Sequence, residues 1–149
     1  MGIEKDIQQR KFRNEFQKAT VNIIFSANWL QEKIKLFLEQ EDITIQQYNI
    51  LRILRGSNSP LSTLQIRERM LDKMSDTSRI AERLVKKELI KKETSTADKR
   101  LVDIVITEKG LQALQRLDER NSELDNIVAS LTEEEAITLN SLLDKLRSK

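Results

Sequence analysis

The sequence predicts a mainly α chain with one small β-hairpin, and three observations predict it. One Pro and three Gly in 149 residues leave long helices without breakers. Apolar residues recur at helical spacing over most of the length, while clear alternation is confined to residues 101–106. Small polar residues answered three positions later by Gln or Glu stand before apolar runs: Thr44 with Gln47, Ser62 with Gln65, Thr132 with Glu135. Each pair is a capping box, which satisfies two orphan N–H groups at a helix start.

Composition narrows the function classes. Hydrophobic residues make up 38% and charged residues 34%, a mix suited to a water-soluble helical protein with exposed helix faces. The absence of Cys excludes a disulfide framework, thiolate metal sites and a thiol redox switch. The absence of His excludes a His-based triad and the usual zinc sites. With no Gly-rich phosphate loop and no inward pair of carboxylates, neither an enzyme nor a cofactor or metal site is expected. Residues 1–11 lack the apolar core of a signal peptide, and no apolar run nears membrane-spanning length. A cytoplasmic chain without a membrane partner is expected.

The net charge of +2 is unevenly spread. Residues 52–109 hold 14 basic and 9 acidic side chains, residues 1–51 hold 7 of each, and residues 110–149 hold 5 basic and 8 acidic. The middle carries the positive field, and a polyanion is its expected partner.

Taken in order, residues 5–39 read as one helix of about 50 Å. Phe16, Thr20, Ile23, Ala27, Leu30, Ile34 and Phe37 follow alternating steps of four and three, a seam for lengthwise packing on another helix. The seam serves either a core helix or a dimerisation helix, with Phe16, Ile23 and Ile34 as dimer contacts. Phe25, Trp29 and Phe37 serve either as core or as the lining of a small-molecule pocket. Glu41 and Asp42 end the helix. Thr44 caps the next, with Ile43 and Tyr48 as a hydrophobic staple, and residues 56–60 form a turn. Ser62 caps a short helix reaching residue 71 or 72, the first of a helix-turn-helix.

Ser75 is expected to cap the second helix of that pair. Asp76, Thr77, Ser78 and Arg79 lie on its first turn, where base edges are met in a major groove. Arg83, Lys86 and Lys87 lie further along, placed for phosphates. The plainer reading is a solvated amphipathic helix, but the capped short helices and the basic flank together favour DNA. Residues 89–93 and 101–106 form a hairpin, with Lys99 and Arg100 as the cations of its tip. Such a tip suits a narrow minor groove. Asp98 either orients the Arg100 guanidinium by a charge-assisted pair or serves only the turn.

Thr107 starts a further helix with an apolar stripe from Leu111 to Leu131, and Thr132 restarts it. Leu124, Leu131, Leu139, Leu142 and Leu146 join the dimerisation set, because so much apolar face exceeds what one small domain buries. The chain divides into an N-terminal dimerisation helix (1–42), a winged helix-turn-helix (43–109) and C-terminal dimerisation helices (110–149), forming one structural unit.

These residues resemble the MarR family of winged helix-turn-helix regulators over nearly the whole chain. Asp98-Lys99-Arg100 followed by Ile106-Thr107-Glu108-Lys109-Gly110 resembles the family's wing signature. Ser78-Arg79 through Leu84 is similar to the start of its second helix. The resemblance implies a homodimer on a pseudo-palindromic double-stranded operator, with repression relieved by a small aromatic or phenolic effector between the dimerisation and DNA-binding parts. It also points to Glu88, where the family usually carries a Gly able to take left-handed backbone. The alternative function is a winged-helix module that binds protein instead of specific DNA.

Overall fold

The computed structural model describes residues 2–148, so the outermost residues of the first and last segments lie outside it. A short helix α1 (Ile3–Asp6) precedes the long α2 (Glu15–Leu38). The N-terminal helix is therefore broken, contrary to the expectation of one helix over residues 5–39. The Asn14 side chain accepts the Gln17 N–H at 2.9 Å and caps α2, a local signal that the sequence carried. Gln8 takes left-handed backbone (φ 56°) and turns α1 back, where Glu4 pairs with Lys18 of α2.

A single 3-10 turn (Glu39–Glu41) follows α2 and ends at Asp42, also left-handed (φ 53°). Helices α3 (Ile45–Gly56) and α4 (Thr63–Arg69) both begin with complete capping boxes, on Thr44 and Ser62. Helix α4 stops two or three residues early, with Met70 as its cap. Helix α5 (Thr77–Lys86) follows the turn, then strands β1 (Ile90–Thr94) and β2 (Val102–Ile106). The strands pair antiparallel with Ile90 opposite Ile106 and Thr94 opposite Val102. Leu61 adds a bridge that the sequence did not announce, exchanging both backbone hydrogen bonds with Ile104 at 2.7 and 3.2 Å.

The Thr107 hydroxyl caps α6 (Glu108–Asp118) by accepting the Gly110 N–H at 3.1 Å. The expected long helix after Thr107 is interrupted at residues 119–120. Helix α7 (Asn121–Ile127) packs back on α2, and α8 (Glu133–Arg147) starts at the Thr132 box.

One core joins these elements. The end of α2 gives Phe37 and Leu38, α3 gives Ile50, Leu51 and Leu54, and α4 gives Ile66. Ala81 and Leu84 of α5, Ile90 and Ile104 of the hairpin, and Leu114 and Leu117 of α6 complete it. Helix α6 thus shares the core of the middle segment. Helices α7 and α8 bury no residue within the chain.

Two close fits hold the wing against this core. Glu88 takes left-handed backbone (φ 64°), and Leu89 N–H reaches the Leu84 carbonyl at 3.1 Å while Glu88 N–H reaches Val85 at 2.9 Å. That is a Schellman end built on a non-glycine residue. Its carbonyl then accepts the Thr107 hydroxyl at 2.7 Å. A Cβ at Gly110 would stand 2.4 Å from the Leu89 carbonyl oxygen, so this position admits no side chain without movement. The Thr107-to-Gly110 signature is the pair of constraints that lets α6 cross the root of the wing.

Candidate nucleic-acid interface

Helix α5 carries one exposed basic stripe. Arg79, Arg83 and Lys86 lie at positions i, i+4 and i+7 and are all exposed, so they share one side of the helix. Ser78 is exposed beside them. Asp76, not Ser75, is the cap. Its carboxylate accepts the Arg79 N–H at 3.1 Å and stands 3.9 Å from Arg79 Nε. The expectation for Ser75 is corrected: its hydroxyl donates to the Asp72 carbonyl and closes the preceding turn. Asp76 is thereby committed to the helix end and to Arg79.

Two of the expected contacts are turned away. Thr77 is 3% exposed and its hydroxyl is buried, so this side chain does not present itself to a base edge. It lies inward because the first turn of α5 packs on α4. Lys87 is half-buried, and its ammonium donates to the Asp42 carbonyl and, at 3.1 Å, to Gln47 Oε1. That ammonium is engaged inside the chain and does not project toward phosphate.

At the wing, Asp98 takes the pairing alternative. Arg100 Nε and Nη2 each donate to its carboxylate at 3.1 Å, and the Arg100 backbone N–H donates at 3.0 Å. These side-chain and backbone hydrogen bonds from Arg100 hold the Asp98 carboxyl below its ordinary value. The guanidinium remains 89% exposed, so it is aimed but not consumed. Lys99 is exposed next to it. Ser95, which sequence reasoning passed over, is buried under the tip and accepts the N–H groups of Ala97 and Asp98. Arg67 was also missed. It lines an open groove of about 380 Å³ with Thr63, Leu64 and Ser75 to Ser78, between α4 and the start of α5.

On the remaining helices, the expected dimerisation set splits in two. Phe16 (84% exposed), Ile23, Leu131, Leu139, Leu142 and Leu146 are exposed, as are Ile24 and Ile137. Ile34 and Leu124 are instead half-buried and packed against this chain's own core. They also line an apolar cavity of about 300 Å³, with Leu30, Tyr48, Asn49 and Leu71, between α2, α3 and α7. The cavity is not built from Phe25, Trp29 and Phe37. Phe37 is in the core, and the other two are partly exposed on α2.

The profile of the MarR family matches residues 43–102. The transcriptional repressor MdtR of Bacillus subtilis is 30% identical over 118 residues, covering 78% of this chain and 76% of its own. A mutant Escherichia coli MarR complexed with operator DNA superposes with a TM-score of 0.82 at 20% identity, over 93% of this chain and 100% of that one. Bordetella bronchiseptica BpsR, whose DNA binding is regulated by 6-hydroxynicotinic acid, gives a TM-score of 0.76 at 16% identity, over 87% and 98%. The last two likenesses speak for the fold.

Proposed function

The chain belongs to the MarR family, and we propose that it is a dimeric, sequence-specific DNA-binding transcriptional regulator, a repressor relieved by a small aromatic ligand. The observation that carries this reading is the exposed stripe of Arg79, Arg83 and Lys86 on a capped helix, next to a wing whose Arg100 is held by Asp98. Arg79 reads a base edge in the major groove, and Arg83 and Lys86 meet phosphates. Arg100 and Lys99 enter the adjoining minor groove.

Two copies joined through α2, α7 and α8 present two such units to half-sites about 10 base pairs apart. No described helix is long and apolar enough to cross a membrane, and the protein acts where its DNA lies, in the cytoplasm. The cavity of about 300 Å³ takes the ligand. Its wall includes Asn49, whose side chain accepts the Leu71 N–H at 2.8 Å just after α4, so an occupant there acts on the helix-turn-helix. A thermal shift with 6-hydroxynicotinic acid as probe, compared with Leu30→Trp to fill the cavity, checks this part.

The test of the regulator reading is selection of bound duplexes from a random library, followed by Arg79→Ala. A two-fold symmetric consensus is expected. The variant should lose about 1–3 kcal/mol on that consensus and relax one position of each half-site. Unchanged preference after Arg79→Ala would refute the assignment of α5 as the reading helix.

A further inference from the structure

We propose that Lys87 is a positioning residue whose ammonium locks the end of the reading helix to the corner between α2 and α3, and so sets the spacing between the two reading helices of a dimer. The inference rests on the DNA-binding dimer reading above.

Both acceptors of Lys87 belong to that corner. Asp42 is its left-handed hinge, closing the 3-10 turn after α2. Gln47 is 4% exposed, and its Oε1 already accepts the Thr44 N–H at 3.1 Å in the box that starts α3. The ammonium supplies the second donor that this buried amide oxygen can take. Lys87 is also the cap residue of α5, immediately before the left-handed Glu88. Two chain segments at least 40 positions apart therefore meet at one nitrogen.

Further ties reach this corner and the end of α5, from α6 and from Arg120 just beyond it. Arg116 grips Glu41 with two hydrogen bonds of 3.0 and 2.6 Å, Arg120 donates to Gln40 at 2.6 Å, and Lys109 donates to the Lys87 carbonyl at 3.0 Å. Helix α2 leads from this corner into the exposed apolar arm, and α5 leads from it to Arg79. A ten-residue helix pivoting at its C-terminal end moves its first turn by about 1 Å for every 5° of tilt. In a symmetric pair that displacement is doubled. A bond at the pivot is thus placed to decide which half-site spacing fits.

The test uses Lys87→Met, which keeps the aliphatic stem and removes the donors. The full-length variant is titrated against the selected duplex and against duplexes with half-sites one base pair closer or further apart, across 50 to 200 mM salt. The expected result is about a tenfold loss at the selected spacing, a smaller loss at the other two, and a salt slope equal to that of the unsubstituted chain. Lys86→Ala serves as the phosphate reference and should flatten the slope by about 1.

A flatter slope for Lys87→Met, an equal loss at all three spacings, or no loss at all would overturn the proposal. If circular dichroism shows that Lys87→Met has lost its fold, Lys87→Leu, which also lacks a donor, carries the same comparison with the same outcomes. Failure of the unsubstituted chain to bind any selected duplex would instead remove the regulator reading, and the inference with it.

Discussion

Thr77 and Asp98 show how much a single side chain's surroundings decide. Thr77 stands where a base-reading residue would stand, yet its hydroxyl is buried with no hydrogen-bond partner among the described residues. A buried, unmatched hydroxyl costs about 1–3 kcal/mol, and Val has nearly the same shape without that cost. Thr77→Val is therefore expected to gain about 1 kcal/mol, measured as a higher urea midpoint at unchanged slope, and to leave the selected DNA consensus as it was. A changed consensus would return Thr77 to the reading face. Asp98 behaves in the opposite way, since its charge is in use. Its pKa is lowered in the folded chain by Arg100. The pair therefore contributes in full above the ordinary carboxylate range and is lost only as pH falls through the lowered value. Across neutral pH the wing tip stays set. Because the site is exposed, Asp98→Asn should change stability little. It should reduce the preference for A·T-rich minor-groove flanks, read by competition between flanking sequences.

At the scale of elements, the junction of α5, the hairpin and α6 is held by backbone geometry. Glu88 occupies left-handed space, which costs a side-chain-bearing residue about 1 kcal/mol. Glu88→Gly should recover roughly 0.5–1 kcal/mol in thermal unfolding, with the Schellman bonds and the wing angle kept. Gly110 is the reverse case. Gly110→Ala drives a methyl to 2.4 Å from the Leu89 carbonyl oxygen and 2.7 Å from Ile106. The helix must shift, and a loss of about 1–3 kcal/mol is expected by the same measurement. An unchanged melting temperature would mean that α6 does not cross the wing root as closely as described.

For the whole molecule, the deciding feature is the set of apolar faces that one chain leaves open. Helix α8 buries nothing in its own chain while exposing Ile137, Leu139, Leu142 and Leu146, and α2 exposes Phe16 and Ile24. Leu139, Leu142 and Leu146 share one face of α8, and an exposed apolar face of this kind marks an interface. Placing Glu at both Leu139 and Leu142 should yield a folded monomer by sedimentation. It should also weaken operator binding by about 100-fold or more, because the second half-site is no longer tethered. A variant that remains dimeric would move the interface off α8.

What was legible in the sequence was local. The boxes at Thr44, Ser62 and Thr132, the Asp98–Arg100 pair and the Thr107-to-Gly110 signature each join residues within a turn or a tight loop. Neighbouring residues alone therefore determined where these helices start and how the wing tip is set. The Asn14 cap was equally local, and it marks the true start of α2. Other features lay beyond any such reading. Lys87 finds its acceptors 45 and 40 positions away, Leu61 bridges to Ile104, and Ile34 and Leu124 turn into their own chain. A helix pattern states which side chains are apolar or charged, but not which segment will arrive against each face. The sequence by itself determined the hairpin, the helix starts at Thr44, Ser62, Thr107 and Thr132, and the basic stripe of α5. Only the tertiary structure decided which of those cations point outward, because a side chain's direction is set by the packing of chain segments far apart in sequence.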